Sequence, residues 1–582
     1  MQDNVQDRER RDVRPSETAV LRLTDFGAEP DSGRDALPAM RRAIEAASKL
    51  QGPVRVECEP GRYDFYREHA SNVLYRVTNT ASEEENPDPT KAVGILLQGL
   101  KEFTLDGRGA LFAFHGKLTM LAIDGCDGVE IRNVKFDYEW PTVAEMTVVR
   151  VGSDYMDVRP HPSSRYEIAD GKLYWIGPGW RFREGPMQAY DPETNRTWRI
   201  ENAVERAEHA EEIGPSLVRL RFGFAPEPTV GLVLQARDGI RDQVGAFILQ
   251  SRNVTFADVG LHFMHGLGVV GQFSENLVFD AVTIAPRPET GRTVAGFADG
   301  IHLSGCRGHV RISGCRFEGL HDDGVNVHGT YLRVMERIGP RRLRVRFMHP
   351  QTYGFDAFFP GDELEFVRSA TLEACGTGTV ERAERLSPRE ILLTLREDLP
   401  EGAGEGDAVE NVTWTPAVEI CGNTFARIPT RGILATTRRR TVIENNRFEG
   451  LIMSAILVSG EAASWYESGR VTELIVRGNR FADCGGAEFP PVLIAPEIEE
   501  PDEAHPVHGG IAIEDNVFEL RGGPATGATS VRSLRFRNNV IRLPGSEAAR
   551  IRKPEDDARL TACPDAIVDD NRYAEMEDPQ TR

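Results

Sequence analysis

The chain has no long apolar run: nothing in it reaches the ~18 consecutive apolar residues a membrane-spanning helix needs, so no membrane partner is expected. Its opening, MQDNVQDRERRDVRPSETAV, is charged and lacks an apolar segment. That excludes a secretory signal peptide in this stretch. The expectation is a cytoplasmic protein, or one from which a signal has been removed. Positive charge is in short supply. Lys and Arg number 69 against 90 Asp and Glu, for a formal net charge of -21. Phosphate neutralisation needs a basic surface, so nucleic acid is not an expected partner. Such a surplus speaks first of solubility. The eight cysteines include no CxxC pair, which argues against zinc. A chain of 582 residues does not need disulfides to hold a core. No P-loop, GxSxG elbow, HExxH pair or dinucleotide fingerprint stands in a credible context.

What the chain has in abundance is repetition. A short strand, an Asn or Asp near a turn, and a Phe or Val recur together. The unit appears at Asn133 to Phe136, Asn253 to Phe256, Asn276 to Phe279, Cys315 to Phe317, Asn423 to Phe425, Asn446 to Phe448, Asn479 to Phe481, Asn516 to Phe518 and Asn539 to Ile541. Three pairs, Asn253 and Asn276, Asn423 and Asn446, and Asn516 and Asn539, are each separated by 23 residues. That period predicts an all-β protein, a right-handed parallel β-helix in which Asn and Phe stack from coil to coil. Asn tolerates left-handed turns, and inward Phe, Val and Ile build the core. Ahead of the repeats, Asp35 to Leu50 has helical spacing of apolar residues. An amphipathic helix there would plug the open end of a solenoid, whose strand edges and core are otherwise exposed. With DFGA before it and PGRY after it, this opening resembles the N-terminal cap of pectin-degrading β-helices.

Two stretches, 141–237 and 331–414, break the period and alternate at period two, as antiparallel strands do. They read as two inserted β-barrel-like domains, with the rhythm resuming after each. The division is then a disordered tail at 1–17, the capped N-terminal part of the β-helix at 18–140, a central part at 238–330 and a C-terminal part at 415–575. Insertions enter exposed turns and commonly form the walls of a site.

The functional signal sits between the two inserts. Asp299-Gly300-Ile301-His302 and Asp323-Gly324-Val325-Asn326 are two acidic turns 24 residues apart, with Asp322 ahead of the second. If that is one coil, the turns stack at the spacing of neighbouring strands, about 4.8 Å. Carboxylates that close cannot all ionise independently, so at least one pKa should rise. A raised carboxylic acid beside an ionised one is the equipment of acid/base hydrolysis. Asp299, Asp322 and Asp323 are therefore the catalytic candidates. Aligning coils on the small residue before each strand puts Val269, Ile301, Val325, Ile433 and Ile456 in one inward column. His302 and Asn326 share an outward column, and Gln272 and His328 the next. These four, with His265 and Arg431 at the heads of their segments, are the substrate-binding candidates; His265 has structural packing as a competing reading. Trp465 and Glu467 complete the set. An exposed Trp465-Tyr466 beside a carboxylate suits a sugar, with ring stacking and hydroxyl hydrogen bonds. Calcium is the competing chemistry for the acidic turns, disfavoured by the His residues mixed among them. The spacing alone allows either an inverting or a retaining geometry.

Six segments then carry a resemblance. MHGLGVVGQFSENL from Met264, ADG at Ala298, HDDGVNVHGT from His321, HPQTYGF from His349, TRGILATTRRR from Thr430 and WYESG from Trp465 together resemble glycoside hydrolase family 110, over most of the chain from Asp25 to about Asn539. The resemblance implies a parallel β-helix with inserted β-barrels and an exo-acting α-galactosidase. It implies removal of terminal α-1,3-linked galactose, as on blood-group B-type glycans, with inversion. The family's acidic cluster maps onto Asp299, Asp322 and Asp323, and no metal or organic cofactor is implied. Many members are exported, so the missing signal is a departure. The implied partner is an oligosaccharide ending in α-galactose; a β-helix flank could also support a homodimer. Two other classes remain open here. One is a pectinase-like polygalacturonase, whose Gly-His-Gly and Arg-x-Lys are not found at the expected places. The other is a noncatalytic carbohydrate-binding β-helix, which has no need of three clustered carboxylates.

Overall fold

The computed structural model describes residues 18–545 and 553–576; the tail expected at 1–17 lies outside them. The solenoid is built of parallel strands one coil apart. One face runs through Val244–Leu249, Leu267–Gln272, Ile301–Ser304, Val325–Thr330, Ile433–Ala435, Ile456–Val458 and Val492–Ile494, each paired in parallel with the next. The register on this face is the one the alignment of coils calls for. Val269 lies beside Ile301, Ile301 beside Val325, Val325 beside Ile433 and Ile433 beside Ile456. All five are fully buried, which is what pins the register, since a slip of one residue would turn the apolar column outward.

The Asn rhythm resolves into two separate columns. Asn253 and Asn276 open their strands and are themselves left-handed, at φ 55° and 57°. In the later coils the left-handed residue is the one before the Asn: Gly422, Asn445, Gly478, Asp515 and Asn538. Strand pairing shows the offset directly. Phe256 aligns through Phe279 and Ile312 with Ile420, not with Phe425. The Phe residues accordingly stack in two files. One is Phe256 on Phe279 at 5.5 Å. The other runs Phe317, Phe425, Phe448, Phe481 and Phe518 at 4.7–5.0 Å. A single short motif repeated at one period hid the fact that it serves two different corners.

The second Asn column is a buried ladder. Asn423, Asn446, Asn479, Asn516 and Asn539 each donate through Nδ2 to the Oδ1 of the next Asn, at 2.9–3.1 Å, ending on Asn571. Each Oδ1 also accepts a backbone N–H from the coil before. The turn thus satisfies its buried polar groups without water.

The N-terminal helix, Leu37–Ala47, buries Leu37, Ala39, Met40, Ala43 and Ala47 against the core of the first coils. The two inserts have cores of their own. The first is a seven-stranded antiparallel sheet with a separate three-stranded sheet; the second is a closed barrel running from Leu332–Arg337 to Ala408–Asn411. Among the described residues no helix is long and apolar enough to cross a membrane.

Replacing Asn479 by Ala removes a rung and strands the buried backbone N–H of Asn446. The expected cost is about 1–3 kcal/mol, read as a lower urea midpoint with an unchanged m-value.

Candidate active site

Three backbone hydrogen bonds assemble the site. Gly268 N donates to the Asp299 carbonyl, Gly300 N to Asp323 and Gly324 N to Arg431, at 2.8–3.0 Å. They place Asp299, Asp323 and Arg431 one above another on successive coils. The glycine after each is required by close approach: a Cβ on Gly300 would lie 2.7 Å from the Gly324 carbonyl, and one on Gly324 2.6 Å from that of Gly432. Asp322, one residue out of the column, turns to the side. It faces Arg241 at 3.3 Å and, from the first insert, Arg199 at 3.6 Å. The three carboxyls each bring an oxygen within 4.8 Å of the others.

A buried, unpaired carboxylate is costly, so these side chains should face open space. They do face a cleft, but it is a deep one: Asp299 and Asp323 are only 5% and 2% exposed. The cost appears in their titration. Burial, reinforced by the charge of Asp322, pushes Asp299 up to about 7. Burial also lifts Asp323 to about 6, against the pull of Arg431, whose Nε lies 2.8 Å from its Oδ1.

The cleft encloses about 120 Å³. Its floor is the acidic column. Arg431, Asn326, Leu434 and Thr436 come from the same strand face, Leu457 and Ser459 from the next coil. Trp465 and Glu467 arrive on a loop anchored by antiparallel pairing of Glu467–Ser468 with Gly329–Thr330. Trp465 is 40% exposed and stacks on His349, ring to ring at 4.2 Å. Tyr466, paired with it in the sequence argument, turns away: it is buried in a cluster with Tyr331 and Leu372. Burial would raise Glu467, but Arg431 and the Asn79 amide hold it low.

Four candidates sit behind this surface. His302 Nδ1 meets Asp299 Oδ2 at 2.8 Å, and its Nε2 meets His328 Nε2 at 3.0 Å. Both rings are buried and touch the carboxyls rather than the cleft. His265 and Gln272 are fully buried and do not line the cleft. His265 hydrogen-bonds Thr142 and Asp242 and packs on Phe297, fixing the turn that carries Arg241. Gln272 accepts from Thr78 N and donates to the Arg76 carbonyl, holding the loop that presents Asn79. Alternation placed Gln272 in an outward column correctly, but outward on this face means under that loop.

Asn79, Arg241, Glu461 and Glu497 also line the cleft and escaped the sequence argument. Asn79 is recruited across 388 positions to Glu467, which no local pattern announces. Two lining atoms, Asn326 Oδ1 and Glu461 Oε1, are buried without a protein partner. Two sets of donor atoms lie close enough for a cation to be considered, the three Asp and the trio His302, His328 and Glu467. Protein contacts already engage every one of these side chains.

Residues 144–234 match the family described as GLAA-B beta-barrel domain I, and residues 342–409 the one described as GLAA-B beta-barrel domain II. An alpha-1,3-galactosidase A of Bacteroides thetaiotaomicron is 41% identical over 548 residues, 93% of this chain and 95% of that protein. The chain belongs to the α-1,3-galactosidase family. Its likeness extends to an alpha-1,3-galactosidase A of Streptomyces avermitilis, 36% identical over 90% of this chain and 87% of that protein. An alpha-1,3-galactosidase B of Bacteroides thetaiotaomicron is 34% identical, over 95% of this chain and 91% of that protein. In this family member the first barrel domain supplies Arg199 to the acidic cluster and the β-helix supplies the carboxyls.

A carboxyl whose pKa is raised in the folded state costs stability once the unfolded chain ionises. For Asp299 the loss begins above its ordinary value of 3.8 and is complete near 7. Asp299→Asn should therefore melt higher than the parent at pH 8, by up to a few kcal/mol on the order set by linkage, with the gain vanishing below about pH 4. Thermal melts at the two pH values check this.

Proposed function

We propose that the cleft binds the terminal galactose of an α-1,3-linked glycan and hydrolyses its glycosidic bond with inversion. The observation that carries this reading is the carboxyl trio at the floor of a cleft with an exposed Trp at its edge. The chain that holds it matches α-1,3-galactosidases over nearly its whole length. A volume of about 120 Å³ is well under the roughly 300–1,000 Å³ of drug-sized pockets. It suits one sugar ring and an exo mode of attack. The face of Trp465 offers a stacking platform. Asn326 Oδ1 and Glu461 Oε1, unpartnered within the protein, are acceptors for sugar hydroxyls. Glu461, Glu467 and Glu497 together make the cleft a poor host for a polygalacturonate.

The roles follow from depth. In an exo enzyme the leaving sugar lies toward the mouth. Asp322 has 14% of its side chain exposed, against 7% for Asp299 and 2% for Asp323. Asp322 is therefore assigned the proton donor to the glycosidic oxygen, acting in the form of the coupled trio in which the proton sits on it and not on Asp299. The deeper pair, Asp299 and Asp323, holds a water against the opposite face of the anomeric carbon and takes its proton as the C–O bond breaks. One water is consumed, the acceptor sugar leaves as an alcohol, and galactose leaves as the β-anomer. Each carboxyl returns to its starting state by proton exchange with solvent.

Proton NMR of galactose-α-1,3-galactose digestion should show β-galactose first; early α-galactose would mean retention, and no release would remove the substrate assignment. Asp299→Asn and Asp323→Asn should lose about 10²–10⁴-fold in kcat on both this disaccharide and nitrophenyl α-galactoside. Asp322→Asn should lose as much on the disaccharide but far less on the nitrophenyl compound, whose leaving group needs no proton. Equal losses on both substrates would overturn its assignment as the acid.

A further inference from the structure

Behind the carboxyls lies a chain of hydrogen bonds whose direction is set from its far end. His328 Nδ1 is 2.5 Å from the Gly329 carbonyl, His328 Nε2 is 3.0 Å from His302 Nε2, and His302 Nδ1 is 2.8 Å from Asp299 Oδ2. A carbonyl only accepts, so His328 carries its hydrogen on Nδ1. A neutral His328 then presents a bare Nε2, and the nitrogen facing it, His302 Nε2, must be the donor. A neutral His302 is then bare at Nδ1. Two lone pairs do not face each other at 2.8 Å, so Asp299 Oδ2 must carry a proton.

We propose that His302 and His328 are positioning residues which, anchored on Gly329, hold one proton on Asp299 and so set the pH above which that carboxylate can activate water. The inference rests on the reading of Asp299 as a water-activating group. Releasing the proton to the cleft leaves the chain one hydrogen bond short, because His302 can turn its hydrogen toward Asp299 or toward His328 but not both. Moving the proton into the imidazole pair instead would bury a cation. Both rings are at most 3% exposed, and burial lowers both, His302 to about 4. The groups facing the chain do not reverse this. Glu467 Oε1 stands 3.5 Å from His328 Nε2, but Asn79 and Asn326 donate to the same carboxylate. Asp322 and Asp323 oppose ionisation of Asp299, while Arg241 and Arg431 assist it.

The test pairs a kinetic and a spectroscopic measurement on the full chain. In substrate-free protein labelled with ¹⁵N-histidine, both rings should be neutral from about pH 5 upward. At the low end His328 should carry its hydrogen on Nδ1 and His302 on Nε2, and His302 should change tautomer as Asp299 ionises. In His328→Gln the constraint is lifted and His302 is free to donate to Asp299. The acid limb of kcat/KM should then move down by about one pH unit or more, and His302 should carry its hydrogen on Nδ1 throughout. A limb that stays put while kcat falls equally at every pH would overturn the proposal, as would a doubly protonated ring on either histidine of the parent. If no α-galactoside is cleaved, the reading of function fails. The tautomers of the parent protein still decide the chain, even should His328→Gln not fold.

Discussion

The site depends on the backbone hydrogen bonds that stack one coil on the next. Gly268, Gly300 and Gly324 donate across the coil boundary, and the residue each one addresses, Asp299, Asp323 or Arg431, is carried into a single column. Two like charges are thereby brought to the spacing of neighbouring strands, about 4.8 Å, which a loop would relax by moving apart. A parallel sheet cannot relax in that way, because its register is held by five buried aliphatic side chains beside the site. Rigidity of the solenoid is thus what makes an acidic cluster possible.

That compression has consequences in several directions. Two of the three carboxyls are driven upward by burial and mutual repulsion, and arginines from three different places answer them. Arg431 belongs to the next coil, Arg241 to the turn held by His265 through Asp242, and Arg199 to the first insert. None of these is a simple neutralising pair: each leaves a carboxyl oxygen available to the cleft or to the histidines behind it. The arrangement keeps protons on the cluster near neutrality, which hydrolysis by acid and base requires and stability alone would not select.

The insertions serve the same end from outside. A bare β-helix presents a flat, ridged face with nowhere to enclose a sugar. The loop carrying Trp465 and Glu467 and the early loop at Asn79 meet over the acidic face, joined by the Asn79–Glu467 hydrogen bond. The barrel domains flank them. The first reaches the cluster directly through Arg199; the second begins immediately after Thr330, where the Glu467 strand pairs.

The period of the Asn and Phe residues, and the alternation within each coil, were sufficient for the β-helix and for the inward column, because stacked coils repeat both in the linear chain. The two acidic turns were legible for the same reason: one coil apart in sequence is one strand apart in space. The sequence could not show that Asn253 and Asn423 serve different corners, since a three-residue motif carries no mark of which turn it occupies. Nor could it tell outward from accessible. Gln272 and His328 face out of the solenoid core, yet loops from Asn79 and Glu467 cover them, and Tyr466 leaves its neighbour Trp465 for another cluster. Residues brought in from far along the chain, such as Asn79 across 388 positions and Arg241 across 81, obey no period. The repeat by itself determined the solenoid, its register and the stacked carboxyls, through local geometry that recurs. Only the tertiary structure decided what covers those carboxyls and where their protons sit, because burial and hydrogen-bond direction depend on partners that no periodicity brings together.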